Sequence, residues 1–284
     1  MTRSTRLSGQ PGGAIKRRRV LPGFGISLGF ATTYLSLLVL IPLAGLFFRA
    51  YGGGWDDFVR VTTSDRAIAA YKLTFFASLI AALINGVLGV IVAWVLVRYE
   101  FPGRRLFDAL VDFPLALPTA VAGLTFSSLY VPSGWVGQYA DIFGVTVSYT
   151  RLGVIVILTF IAMPFVVRTV QPVIQAMDRD IEEAAASLGA SRRQILTGVI
   201  IPALFPAILT GVALAFARAV GEYGSVIFIA GNLPRKTEIA PLLVIIQLEQ
   251  FNYAGAAAIA VVLLLGSFVI IGVINLLSRR VRSW

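Results

Sequence analysis

The sequence predicts an all-α polytopic membrane protein with six transmembrane helices and both termini in the cytoplasm. Its 284 residues are 57% hydrophobic and only 13% charged, whereas soluble domains carry about a quarter charged residues. Six apolar runs reach the length that a bilayer requires, and the basic residues are distributed unevenly among the segments between them. In such a chain the formal net charge of +10 is informative first about orientation in the membrane. We predict no nucleic-acid partner.

A transmembrane helix needs about 20 predominantly apolar residues, and each predicted span meets that requirement. The basic N-terminal tail, residues 1–25, precedes a first span at 26–48, which is too long for a signal peptide and lacks an evident cleavage site. A core at 69–278 holds the other five, and residues 279–284 form a second tail. The six spans are Ile26–Phe48, Leu73–Val97, Leu106–Val131, Leu152–Val173, Ala203–Ala230 and Ala254–Leu277.

The distribution of Lys and Arg predicts the orientation. With the N-terminus inside, the cytoplasmic segments carry 16 of the 24 basic residues, the outer segments carry 7, and Arg218 lies within a span. Cytoplasmic loops are enriched in basic residues, so both termini and the segment 178–202 are predicted to be cytoplasmic. Two outer segments read as helical: an amphipathic piece around Trp55 and Phe58 at the interface, and 240–251, too short to span.

The longest polar interruption is Asp178–Pro202, DRDIEEAAASLGASRRQILTGVIIP. Its pattern predicts two short helices separated at Gly189, where a helix end favours positive φ. Asp180 with Glu183, and Ser191 with Gln194, have capping-box spacing, and Pro202 marks the predicted far boundary. An apolar stripe recurs at helical spacing in the first helix: Ile181, Ala184, Ala185 and Leu188. An ordinary cytoplasmic helical hairpin would show the same pattern.

Arg218 and Glu222 stand four residues apart within the fifth predicted span, so they should share one helix face. Charges inside a membrane are costly and usually face a pore or each other. The pair is therefore predicted to be either part of a translocation path or gate, or an ion pair that fixes helix packing.

Pro118 and Thr119 lie in the third predicted span, LFDALVDFPLALPTAVAG. Prolines free backbone carbonyls, which membranes tolerate only against protein or a water-filled cavity. These two residues are therefore also candidates for the path. Asp108 and Asp112, near the cytoplasmic end of the same span, are expected to meet headgroup water.

Several motifs are absent from the full sequence. It contains no cysteine and no histidine, which removes thiolate chemistry and the commonest general base and metal ligand. It also lacks G-x-x-x-x-G-K-[ST], HExxH and CxxC. We therefore predict a non-enzymatic chain with no catalytic residue, no metal and no cofactor of its own.

Glu183-Ala184-Ala185, three residues, Gly189, nine residues and then Val199-Ile200-Ile201-Pro202 resembles the EAA signature of ABC importer permeases. Val199 and Ile201 depart conservatively from the I-x-L-P ending of that signature. The resemblance implies a type-1 ABC importer permease fold and a coupling role for Glu183, Ala184, Ala185, Gly189 and Pro202, docked to a separate ATPase that holds ATP and magnesium.

From about Ala69 onward the chain resembles permeases of sulfate and thiosulfate importers, most closely their T-type subunit. The resemblance rests on ALPTAVAGL at 116–124, MPFVVRTVQPV at 163–173, ARAVGEYGSVIFIAGN at 217–232 and QLEQFNYAGAAAIA at 247–260. It implies a bacterial inner-membrane complex with a homologous W-type permease, two ATPase subunits and a periplasmic or surface sulfate-binding protein.

Two other functions fit parts of the sequence. A molybdate or tungstate permease shares the ARAxGE pattern more loosely. An ion-coupled secondary transporter would suit six spans with an intramembrane Arg–Glu pair, but it has no use for an ATPase-docking segment.

Overall fold

The computed structural model describes residues 24–281, with the side chains of 279–281 left aside, and every regular element in that range is a helix. Most of the basic N-terminal tail and the end of the C-terminal tail therefore lie outside the described residues. The chain divides into two compact units, one ending at Gly45 and the other beginning at Leu46. No described residue of the first unit is buried within it.

We number the helices in chain order. They are α1 Phe24–Ala50, α2 Trp55–Thr62, α3 Asp65–Arg98, α4 Arg104–Val111, α5 Phe113–Ala116, α6 Thr119–Tyr130, α7 Gly137–Ile142, α8 Arg151–Ala176, α9 Arg179–Ser187, α10 Arg192–Val220, α11 Val226–Ile229, α12 Ala240–Glu249 and α13 Tyr253–Val281. Two of them contain a π-helical turn, at Ser36–Leu40 in α1 and at Leu196–Ile200 in α10.

Five of these helices are long and apolar enough to cross a membrane: α1, α3, α8, α10 and α13. The third predicted span, at 106–131, is wrong as a single helix, because the chain there forms α4, α5 and α6 in succession. Pro118 is the cause of the second break. A residue before proline is pushed out of the α region, and Leu117 is extended at ψ 131°. Six membrane crossings, with the third made by the interrupted segment, and two cytoplasmic termini stay predictions.

The core of the second unit is built where α3, α8 and α10 pack against one another. Small residues make the close approach possible. A Cβ at Gly89 of α3 would lie 2.9 Å from Val166 Cβ, and one at Gly211 of α10 would lie 2.9 Å from Val166 Cα. Val166 of α8 is fully buried between them. Such small-residue contacts are the usual means by which helices associate in membranes, where hydrophobicity between helices supplies little.

The outer predicted segments are helical, as expected. Phe58 of α2 packs against Ala257, Ala258 and Val261 of α13. The apolar segment 240–251 forms α12, whose Leu242 and Leu243 are buried, so it is a packed helix too short to span.

Candidate functional site

The predicted coupling segment forms two helices separated by a tight turn. Gly189 has φ +87°, the left-handed conformation that favours glycine. Ser191 and Gln194 form the predicted capping box, with Gln194 N donating to Ser191 Oγ and Ser191 N donating to Gln194 Oε1. The predicted first cap is wrong: Asp178, two residues before Asp180, caps α9 by accepting from Asp180 N.

None of the residues of α9 is buried. The predicted apolar stripe is present, but Ile181 is 55% exposed and Leu188 is 89% exposed. An exposed apolar face on a short helix is a typical feature of a protein–protein contact.

Two adjacent glutamates of α9 have different environments. Glu182 forms an ion pair with Arg98, the last residue of α3. Glu183, the glutamate of the predicted signature, is exposed, and its side chain makes no ion pair or hydrogen bond with any described residue. Arg98 also stacks over the Trp94 ring at 5.0 Å. The core therefore holds α9 through Glu182 and leaves Glu183 free.

Pro202 does not end the second helix, as the sequence suggested. It lies near the start of the α-helical part of α10, and the helical run continues from Arg192 to Val220. Proline lacks an N–H and clashes with the carbonyl of the preceding turn. The wider π-turn at Leu196–Ile200 ends two residues before Pro202 and makes room for that ring in the preceding turn, so α10 continues. The fifth predicted span is likewise displaced, because it begins earlier and ends at Val220.

Arg218 and Glu222 are in contact, but they are not on one continuous helix. The helix α10 ends at Val220, and Gly221 follows as its C-cap. Arg218 Nη1 donates to Glu222 Oε2 at 2.5 Å. Glu222 is only 3% exposed, and its Oε1 accepts from the backbone N and the Oγ of Ser225, at 3.0 and 2.9 Å. This buried carboxylate therefore has three donors.

The turn after α10 packs against the start of α6. A Cβ at Gly224 would lie 2.3 Å from Thr119 Oγ1, and one at Gly123 would lie 2.3 Å from the Ser225 carbonyl oxygen. Pro118 is the exposed N-cap of α6. The structure thus packs Thr119, which follows Pro118, against the turn that holds Glu222, although Thr119 and Glu222 lie about a hundred positions apart in the chain.

Sequence reasoning missed an interaction that binds the broken helix region to α8. All three nitrogens of the Arg168 guanidinium donate hydrogen bonds. Nε and Nη2 donate to the Asp112 carboxylate at 2.9 and 2.6 Å, and Nη2 also donates to the Asp108 carbonyl at 2.8 Å. Nη1 donates to Asp108 Oδ1 and to Gln171 Oε1, both at 2.7 Å. The two aspartates were expected to meet headgroup water. The sequence signal that could have predicted this interaction was the four-residue spacing of the two aspartates, together with the single arginine in the next predicted span.

A second interaction that the sequence analysis did not predict lies at the N-terminal end of α3. Arg66 donates from Nε and Nη2 to Glu238 at 2.8 and 2.6 Å, and Glu238 is 2% exposed. Thr74 Oγ1 accepts from Ala240 N at 2.9 Å. The segment that leads into α12 is therefore tied to α3 at two points. Among residues 24–281, no cluster of three or more His, Cys, Asp or Glu side chains could hold a metal ion.

Five long apolar helices, a charge pair at a helix break and an exposed helical hairpin are features of a multi-pass membrane protein. The chain belongs to the family described as "Binding-protein-dependent transport system inner membrane component", whose sequence profile matches residues 85–283. It is a transport subunit and not an enzyme.

The chain is similar to several proteins named sulfate transport system permease protein CysT. The protein of Salmonella typhimurium is 47% identical over 94% of this chain and 96% of its own length, and that of Escherichia coli is 46% identical over the same shares. The Synechocystis protein is 49% identical over 91% of each chain.

Solved structures share the fold at low identity. A chain of a bacterial ABC transporter involved in the import of the acidic polysaccharide alginate superposes with a TM-score of 0.74, at 19% identity, over 90% of this chain and 94% of the other. A chain of a bacterial alginate ABC transporter in complex with an alginate pentasaccharide-bound periplasmic protein superposes with a TM-score of 0.73, at 20% identity, over 90% of this chain and 94% of the other.

Proposed function

We propose that this chain is a permease subunit of an ATP-driven importer of sulfate and thiosulfate in the bacterial inner membrane. Family membership supports the importer, and the names of the similar full-length proteins support the substrate. The observations that carry the coupling part are that α9 is exposed all round, with the Glu183 side chain unpaired and Ile181 and Leu188 of its apolar stripe uncovered. In this proposal an ATPase subunit, which binds ATP and magnesium, covers α9.

The length and position of α10 support a direct mechanical connection between the predicted coupling segment and the Arg218–Glu222 pair. The helix α10 begins at Arg192 inside the coupling segment and ends at Val220, two residues before Glu222. At 1.5 Å per residue its 29 residues span roughly 43 Å. A displacement of α9 by the ATPase would therefore be passed along one helix to the Arg218–Glu222 pair. The π-turn near the start of α10 is the point where the helix can bend, since helices bend at such interruptions.

The proposed path lies beside the turn that Glu222 and Thr119 share. Arg218 supplies positive charge near a dianion, and Glu222 balances that charge so that the anion is not held too tightly to leave. Pro118 exposes the end of a broken helix, where backbone groups are free to face a water-filled path. A homologous second permease subunit would supply the opposite wall, two ATPase subunits would drive it, and a periplasmic or surface binding protein would deliver the anion.

The test is uptake of labelled sulfate into vesicles that hold the complete complex, with wild type, Glu183→Lys and Glu100→Lys compared. Glu100 is exposed on the same predicted side but lies outside α9, so it controls for the change of charge. We expect ATP-dependent uptake in wild type and Glu100→Lys, and a loss of at least tenfold in Glu183→Lys.

Competition experiments separate the alternatives. Excess unlabelled thiosulfate should suppress sulfate uptake, and molybdate should not. Uptake of molybdate with no uptake of sulfate would leave the importer and refute the substrate. Uptake that needs an ion gradient but no ATP would refute the importer itself and favour a secondary transporter.

A further inference from the structure

A cleft of about 660 Å³ lies beside α3 and α8 in the second unit. Three cationic residues line it: Lys72 of α3, Arg151 at the start of α8, and Arg235 in the segment before α12. The rest of its lining is apolar and includes Phe75, Phe76, Leu79, Ile155 and Ile270. No carboxylate lines the cleft, so its polar character is entirely cationic.

The three cations are available for a ligand. All are exposed, and Lys72 and Arg235 have no ion pair or hydrogen bond from their side chains among the described residues. Arg151 uses only Nε, which donates to the Lys236 carbonyl at 2.9 Å. Glu238, the nearest acidic residue in sequence to Arg235, is already held by Arg66. The positive end of the α8 helix dipole adds to the positive potential of the cleft, because Arg151 is the first residue of α8.

The backbone that carries Arg235 is held in place. Lys236 N and Thr237 N both donate to the Leu233 carbonyl at 3.0 Å, and Leu233 N donates to Thr237 Oγ1 at 3.0 Å. The bond from Arg151 to Lys236 joins this turn to α8. The Arg151 side chain is thus held against the turn whose backbone carries Arg235.

The apolar part of the cleft extends away from the cations toward the middle of the predicted membrane. Lys72 and Leu79 are seven residues apart on α3, which is roughly 10 Å along the helix. Beyond them α3 continues with Leu83 and Val87 exposed at 55% and 63%. A groove with cations at one end and an apolar floor that opens to an apolar surface matches the shape of an acyl chain below a phosphate.

We propose that this cleft binds an anionic phospholipid, with its phosphate at Lys72, Arg151 and Arg235 and one acyl chain along Phe76 and Leu79. Basic pockets between membrane helices select anionic headgroups over zwitterionic ones. A free oxyanion would account for the cations but not for the apolar groove. The site is independent of which ion the protein transports.

The test uses the purified complete complex in detergent, incubated with phosphatidylglycerol or with phosphatidylcholine, and counts retained lipid by native mass spectrometry. The variant is the double substitution Lys72→Gln and Arg235→Gln. The matched control is Lys236→Gln, since Lys236 neighbours Arg235 and is exposed but does not line the cleft. We expect the double variant to retain several-fold less phosphatidylglycerol than wild type and the control to equal wild type.

Two further experiments test whether something other than a phospholipid occupies the cleft. If inorganic sulfate at millimolar concentration displaces the phosphatidylglycerol, the cations bind a free anion and the proposal is wrong. If Phe76→Cys reacts with a crosslinker to the partner permease in the lipid-loaded complex, a protein helix fills the groove and the proposal is also wrong. Equal retention in the double variant and the control would overturn it as well.

A measurement on wild type covers the case in which the double variant does not fold. Phosphatidylglycerol should raise the thermal unfolding midpoint of the wild-type complex above that in an equal amount of phosphatidylcholine with the same acyl chains. No difference between the two lipids would contradict a headgroup-selective site.

Discussion

Arg168 of α8 binds Asp112 through two parallel hydrogen bonds, Nε to Oδ1 at 2.9 Å and Nη2 to Oδ2 at 2.6 Å. Asp112 is the residue at which α4 gives way to α5. The pair therefore fastens the interrupted helix region to one of the central helices of the core. Arginine is suited to this work because its planar fork matches a carboxylate in two places at once.

We predict that Arg168→Lys will lower the stability of the complex although it keeps the charge. A lysine is a single point of charge and cannot reproduce the fork, so hydrogen bonds to a charged group worth about 1.5–3 kcal/mol are lost. Thermal unfolding in detergent would measure the loss. Arg105→Lys is the control, because Arg105 is exposed and makes no ion pair among the described residues. Equal midpoints for the two variants would contradict a structural role for Arg168.

Glycine-to-alanine substitutions should have opposite effects at two positions of the long helices. Gly211→Ala would place a Cβ 2.9 Å from the backbone of Val166, and overpacking of this kind costs about 1–3 kcal/mol. Gly272→Ala in α13 meets no atom within 4 Å, and alanine favours the helix by up to about 1 kcal/mol. Unfolding midpoints should fall for Gly211→Ala and stay equal or rise for Gly272→Ala. A fall of the same size in both would show that close packing at Val166 is not the cause.

Glu222 and Arg218 should be coupled in function. Glu222→Gln keeps an oxygen for Ser225 but leaves the partly buried Arg218 without a counter-charge, and Arg218→Gln leaves the buried Glu222 carboxylate uncompensated. Breaking one side of a buried pair is costly, whereas removing both charges is tolerated better. We expect each single variant to reduce sulfate uptake by about tenfold or more, and the double variant Arg218→Gln with Glu222→Gln to recover part of it. Recovery must be measured at equal amounts of assembled complex. A double variant no better than either single one would show that a charge itself is required in the path.

Gly189 provides a test of the turn in the coupling segment that does not depend on steric contacts. Its φ is +87° and a Cβ there would meet no atom within 4 Å, so only backbone strain opposes a side chain. We expect Gly189→Ala to cost about 1–2 kcal/mol and to lower uptake together with ATP hydrolysis stimulated by the binding protein. Gly189→Asn should retain most of both, because asparagine tolerates left-handed backbone. Full activity in both variants would mean that the turn is not needed for coupling.

The sequence supported the class of protein, the positions of most spanning helices and the layout of the coupling segment. These features depend on local patterns. Apolar length defines a span, Gly189 defines a turn, and the Ser191–Gln194 spacing defines a cap, so each can be read within a few residues. The errors came where two local signals competed: Asp180 was chosen over Asp178 as a cap, and Pro202 was taken as a boundary because its neighbouring π-turn leaves no trace in the sequence.

By itself, therefore, the sequence determined an all-helical membrane chain whose segment 178–202 contains two short helices separated at a glycine. Only the tertiary structure decided how 106–131 is broken and which distant residues meet there. Arg168 forms hydrogen bonds with Asp108 and Asp112, which lie about sixty positions earlier in the chain. Arg66 forms hydrogen bonds with Glu238, which lies 172 positions later. Buried or membrane-located charges must be paired, but a sequence contains several possible partners for each. The packing of α3, α8 and α10 brings particular side chains within hydrogen-bonding distance. The tertiary structure therefore decides which of the possible partners each charge has.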